Sequence, residues 1–104
     1  MIRRTSRKYM LEMVGENPDW KILELGSGRD GWTCADTYCD IVDYKEYYKN
    51  KRFVQAEASD TPFEDKEFDF VVSTHVAEHV PEPKKYIKEL MRISKRGYLE
   101  FPTP

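Results

Sequence analysis

Apolar positions in this chain come in short blocks whose period changes, and each change marks an element. Tyr9, Met10, Met13 and Val14 share one helical face, so a helix capped by Ser6 is expected to run to about Val14. Gly15-Glu16-Asn17-Pro18 ends it. Lys21 to Leu25 then reads as a first strand, and Thr37 to Val42 as a second. Tyr44 to Asn50 is expected as a short helix, with Tyr44, Tyr47 and Tyr48 forming an aromatic stripe that reads as core. Phe53 to Ala56 is a third strand, Thr61 to Lys66 a turn-rich loop, and Phe68 to Ser73 a buried strand. After Pro81 and Pro83, residues 84–94 give the clearest helix. Tyr86, Ile87, Leu90, Met91 and Ile93 share its apolar side, opposite Lys84, Lys85, Lys88, Glu89 and Arg92. Lys95-Arg96-Gly97 is expected to close this helix with a basic last turn and a C′ glycine. Tyr98 to Phe101 is a final strand. Strands alternating with helices, without repeats, predict an α/β fold on a parallel sheet.

The chemistry is expected at the carboxyl ends of those strands, where open parallel sheets bind their ligands. Glu24 closes the first strand and leads into Gly26-Ser27-Gly28. Glycines one residue apart permit positive φ and let a ligand approach the main chain. Asp40 or Asp43 closes the second strand, Glu57 follows the third, and Ser73-Thr74-His75 follows the fourth. An acid at the end of the second strand suits a ribose, because a carboxylate accepts from two vicinal hydroxyls at once. Residues 29–34 lack the pattern of a long amphipathic helix.

Composition narrows the picture further. The 104 residues allow a single domain, 1–104, with a modest core. A formal net charge of −2 gives no reason to expect a nucleic acid partner. Arg3, Arg4, Arg7 and Lys8 read as a solvated basic helix end, and no apolar run is long enough to span a membrane. Cys34 and Cys39 lack a Cys-x-x-Cys spacing, so they are expected as free thiols in a reducing, cytoplasmic setting.

Taken together, Leu23-Glu24-Leu25-Gly26-Ser27-Gly28, Phe53-Val54-Gln55-Ala56-Glu57-Ala58 and Phe68 to Ser73 with His75-Val76-Ala77-Glu78-His79-Val80 resemble the class I S-adenosylmethionine-dependent methyltransferases. Lys88 to Ile93 and Lys95-Arg96-Gly97 resemble that family's helix and turn before strand five. The resemblance covers roughly residues 20–101. It implies a Rossmann-like three-layer sandwich with a mainly parallel sheet in the order 3-2-1-4-5. It also implies S-adenosyl-L-methionine as cofactor and methyl transfer to a small-molecule acceptor. The cofactor residues it implies are Glu24, Gly26, Ser27, Gly28, Asp40, Glu57, Ala58 and Ser73, with Glu57 and Ala58 at the adenine. His75 is the best placed base if the acceptor needs one, with His79 next.

Three departures from the family pattern matter. Asp30 stands where a third glycine is usual, and Gly31 follows it. The helix expected after Gly28 is shortened or missing. The chain ends at strand five, without the usual last strands, as a truncated or minimal domain would. Strand five is therefore expected at an edge, inviting a homodimer or a complementary partner chain. A non-catalytic cofactor-binding or regulatory module is the alternative reading. His75-Val76-Ala77-Glu78-His79 also spells a His-x-x-Glu-His zinc pattern, but Pro81 and Pro83 cut off the long helix it requires, so no metal is expected. A dinucleotide oxidoreductase would use Gly31 as third glycine, yet the later segments fit it poorly.

Overall fold

The computed structural model describes residues 7–74 and 82–100. The Ser6 cap, residues 75–81 with His75 and His79, and residues 101–104 lie outside that description. The elements run α1 (Arg7–Gly15), β1 (Ile22–Leu25), β2 (Thr37–Asp40), a short 3-10 turn (Lys45–Tyr47), β3 (Arg52–Gln55), β4 (Phe68–Ser73), α2 (Pro83–Ile93) and β5 (Ser94–Leu99). The five strands form one sheet in the order β3-β2-β1-β4-β5, and every neighbouring pair is parallel. This is the order and the Rossmann-like α/β arrangement expected from the sequence.

Alternation along the central strands sends side chains to two cores. Leu23, Leu25, Cys39 and Val71 meet Tyr86, Leu90 and Ile93 of α2, with Phe63 and Phe68. Burial of Leu90 and Ile93 contributes about 1.5–3 kcal/mol each. On the other face Ile22, Tyr38, Phe70 and Val72 meet Met10 and Val14 of α1, together with Ala35 and Tyr48. Trp20 stacks on Phe70 at 5.6 Å between centroids. The polar complement of α1 is more engaged than a solvated helix end: Arg7 forks onto the Glu100 carboxylate and lies 5.2 Å from the Trp32 ring centroid.

β1 starts one residue later and β3 lies one residue earlier than in the sequence reading, and four further boundaries differ for a local reason. β2 stops at Asp40, whose Oδ1 accepts from the Val42 N–H at 3.0 Å and folds the chain away from the sheet. The expected 44–50 helix is only the turn Lys45–Tyr47, started by Lys45 N–H donating to Asp43 Oδ1 at 3.0 Å. α2 begins at Pro83, in the first turn, where proline's missing N–H costs nothing. Its end is not the Gly97 turn: β5 starts at Ser94 and takes in Lys95, Arg96 and Gly97. The helix carbonyls are met instead by Lys66, at φ 53°. Its N–H donates to Arg92 O at 2.7 Å and its Nζ to Met91 O at 2.6 Å and Ser94 O at 3.0 Å. A cation there also complements the negative end of the helix dipole.

β5 does lie at an edge, but the first half of that edge is charged. Lys95 Nζ donates to Asp69 Oδ1 at 3.2 Å, and the Arg96 guanidinium lies 5.4 Å from the Trp20 ring centroid. Charged edge positions oppose indiscriminate strand addition.

Candidate functional site

The carboxyl ends of β1 and β2 are tied together by the glycine turn. Gly26 and Ser27 donate their N–H groups to Cys39 O at 2.7 and 3.1 Å, while Gly28 N–H reaches Asp40 Oδ2 at 2.9 Å. Gly26 and Gly28 have φ of 79° and 60°, which explains glycine at both positions. A Cβ on Gly28 would meet nothing within 4 Å, so the turn faces open space. The next strand end lies alongside, with Ala56 N–H donating to Asp40 O at 3.0 Å. Glu57 is exposed there and forms a bridge to Asp60, which turns the chain through Ala58 and Ser59.

Asp40 and Asp43 take different positions. Asp40 bonds to the turn, and the exposed apolar residues Ile41 and Val42 follow it directly. Asp43 starts the 3-10 turn and lines a recess with Lys45, Lys49, Lys51 and Phe53, on the flank of Tyr48.

Glu24 and Ser73 lie beneath this rim. Glu24 is 2 % exposed and accepts from the Trp32 N–H. Burial pushes its carboxyl up to about 7, against the pull of that backbone donor. Ser73 donates to Leu25 O at 3.0 Å and shares a hydrogen bond with the Tyr86 hydroxyl, joining β1, β4 and α2. Thr74, the next residue, is buried, and its Oγ1 has no hydrogen-bond partner among the described residues.

No helix follows the glycine turn among residues 29–36. Side chains from later in the chain replace it. The Tyr48 hydroxyl donates to Gly28 O at 2.5 Å and accepts from Gly31 N–H at 3.0 Å. The Tyr38 hydroxyl donates to Trp32 O at 2.6 Å. The two tyrosine rings stack at 4.1 Å, and Tyr48 stacks on Phe53 at 5.7 Å. Gly31 is required here by packing, because a Cβ would lie 2.5 Å from the Tyr38 ring. The stripe of Tyr44, Tyr47 and Tyr48 is core only in part: Tyr48 is buried with Tyr44 packed against the same cluster, Tyr47 is 51 % exposed, and the pattern does not reveal these hydroxyl roles. The visible signal was the lack of a helical pattern between Gly28 and Asp40, which leaves peptide groups needing other partners.

The rim fits the chemistry of S-adenosylmethionine. Asp40 offers a carboxylate for a diol, Ile41 and Val42 offer an apolar ledge, and the Gly28 side is open. Among the described residues no group of His, Cys, Asp and Glu is arranged to hold a metal ion, and no helix is long and apolar enough to cross a membrane. The His75–His79 segment is outside those residues.

Residues 23–100 match the family described as "Methyltransferase domain". Demethylmenaquinone methyltransferase of Renibacterium salmoninarum is 30% identical over 106 residues, covering 90% of this chain and 45% of that protein. The chloroplastic tocopherol O-methyltransferase of Arabidopsis thaliana is 47% identical over 58 residues, covering 56% of this chain and 17% of that protein. A solved SAM-dependent methyltransferase from Methanosarcina mazei superposes with a TM-score of 0.66 at 25% identity, over 77% of this chain and 51% of its own. The chain thus spans about half the length, or less, of these relatives.

Proposed function

The chain belongs to the methyltransferase domain family, and on that premise we propose that it binds S-adenosylmethionine at the carboxyl rim of its sheet and serves methyl transfer to a small-molecule acceptor. The observation that carries this reading is the carboxylate of Asp40, hydrogen-bonded to Gly28 at the junction of β1 and β2. A carboxylate has about four lone-pair sites. Asp40 uses two, on the Gly28 and Val42 N–H groups, which leaves acceptors for the two ribose hydroxyls. The same contact favours Asp40 over Asp43 for that role.

The cofactor supplies a methyl group on a sulfonium, already an effective leaving group. The chain's task is therefore chiefly to bind and align. Gly26, Ser27 and Gly28 shape the open side of the turn, Glu24 and Ser73 hold the strands beneath it, and Glu57 and Ala58 border the adenine. His75 takes the proton where an acceptor needs a base. The small-molecule acceptor follows from the names of the relatives, a demethylmenaquinone and a tocopherol methyltransferase.

Calorimetry with S-adenosylmethionine and S-adenosylhomocysteine, on wild type and Asp40→Ala, tests the reading. Wild-type binding that Asp40→Ala weakens supports it. No measurable wild-type binding at millimolar ligand sinks the cofactor assignment. A second reading, a non-catalytic cofactor-binding module, draws on the missing helix after Gly28; binding without turnover across an acceptor panel favours it. A cytoplasmic setting and self-association through the β5 edge belong to the same proposal, and native mass measurement tests the association.

A further inference from the structure

Gly28 is held at both of its peptide groups by side chains: Asp40 takes the N–H and Tyr48 the C=O. We propose that Tyr48 is a positioning residue for cofactor binding, fixing the glycine turn against Asp40 through a hydroxyl that touches no ligand. The proposal rests on the cofactor reading above and adds to it a residue outside the family's glycine and acidic motifs.

Three observations carry it. First, the Tyr48 hydroxyl has one proton to give and gives it to Gly28 O at 2.5 Å, while it accepts from Gly31 N–H at 3.0 Å. It therefore clamps the Arg29-Asp30 tip from both sides, where a helix would have supplied i→i−4 bonds. Second, the ring has little freedom. Tyr38 and Phe53 both stack on it, with centroids at 4.1 and 5.7 Å, and the residue is 8 % exposed. Third, the phenol keeps its proton at ordinary pH, because burial pushes its ionisation upward, so donation to Gly28 persists. Without the hydroxyl, the Gly31 N–H loses its side-chain partner and the Gly28 carbonyl keeps only Ser27 Oγ at 3.3 Å, so the turn is restrained from the β2 side alone, by Asp40 and Cys39 O. Ligand binding must then order the loop as well as occupy it.

The test compares wild type with Tyr48→Phe, which retains the ring and its stacking. The probe is S-adenosylhomocysteine, titrated by calorimetry, alongside amide hydrogen exchange of Gly31 without ligand. The variant is expected to bind roughly tenfold more weakly. Its Gly31 amide should exchange roughly tenfold faster, with the unliganded melting midpoint lower by only a few degrees. An unchanged affinity, or an unchanged Gly31 exchange rate, overturns the proposal. So does an unprotected Gly31 amide in the wild-type chain, a measurement that needs no variant and no ligand. Absence of wild-type binding together with a protected Gly31 is a separate result: it overturns the cofactor reading and, with it, the role in binding.

Discussion

Asp40 Oδ2 accepts the Gly28 N–H at 2.9 Å, so the last residue of β2 sets the position of the turn that ends β1. Hydrogen bonds to an ionised acceptor contribute about 1.5–3 kcal/mol. Asp40→Ala is therefore expected to weaken S-adenosylhomocysteine binding by about 10- to 100-fold in calorimetry. Stability without ligand should fall as well, by about 1.5–3 kcal/mol, because the Gly28 bond is present in the unliganded chain although the strand ladder is untouched.

Glu24 gives the chain an unusual pH dependence. Its folded-state value is raised to about 7, chiefly by burial, so the native chain binds its proton more tightly than the unfolded chain does. The stabilisation is full below the unfolded carboxyl range of about 4.3 and is lost as pH rises through about 7, on the order of 3–4 kcal/mol. Urea melts between pH 5 and 8 should show the wild type weakening with rising pH more steeply than Glu24→Gln, which keeps an acceptor for Trp32 but does not titrate. Equal slopes would refute the assignment. Glu89, held near 2 by the Arg92 fork, acts in the opposite direction below about 4.5 and leaves this window clear.

Gly31→Ala drives a methyl group into the Tyr38 ring and to 3.0 Å from Glu24 Oε1. Overpacking of this kind costs about 1–3 kcal/mol. Gly15→Ala, at the end of α1 with nothing within 4 Å, is expected to be neutral or to stabilise by up to about 1 kcal/mol. Denaturant midpoints of the two variants should move in clearly different ways.

Lys66→Met keeps the aliphatic stem and removes the ammonium that meets Met91 O and Ser94 O. A loss of about 0.5–1.5 kcal/mol is expected, larger at low salt, and chemical denaturation at two ionic strengths measures it.

The two thiols should resist modification while the chain is folded. Burial pushes Cys39 up to about 12 and also raises Cys34. A disulfide reagent at pH 8 is expected to label Cys39 only as fast as the chain opens, so labelling should accelerate with denaturant.

The sheet was readable in the sequence because its determinants are local. Apolar-rich runs such as Phe68 to Ser73, broken only by Asp69, mark buried parallel strands, and the Tyr86, Leu90 and Ile93 spacing marks α2. Gly26, Gly28 and Asp40 were readable as a rim because each stands at the end of such a run. The end of α2 was not, since its carbonyls are met by Lys66, which comes from the loop before β4. The 28–36 loop was hidden for the same reason. Its conformation depends on Tyr38 and Tyr48, whose aromatic character announced a core but whose hydroxyl partners follow only from the folded arrangement.

The clamp on Gly28 also bears on the order in which the molecule assembles. A helix after β1 would close through neighbours four residues apart, whereas the Tyr48 contacts to Gly31 and Gly28 span 17 and 20 positions. Contacts of longer range form later, after the loop between them has been closed. β2 must find β1, and the segment beyond it must fold back, before the turn is held. The turn is therefore held only after β1 and β2 have met, whereas a helix after β1 could close on its own, ahead of the sheet.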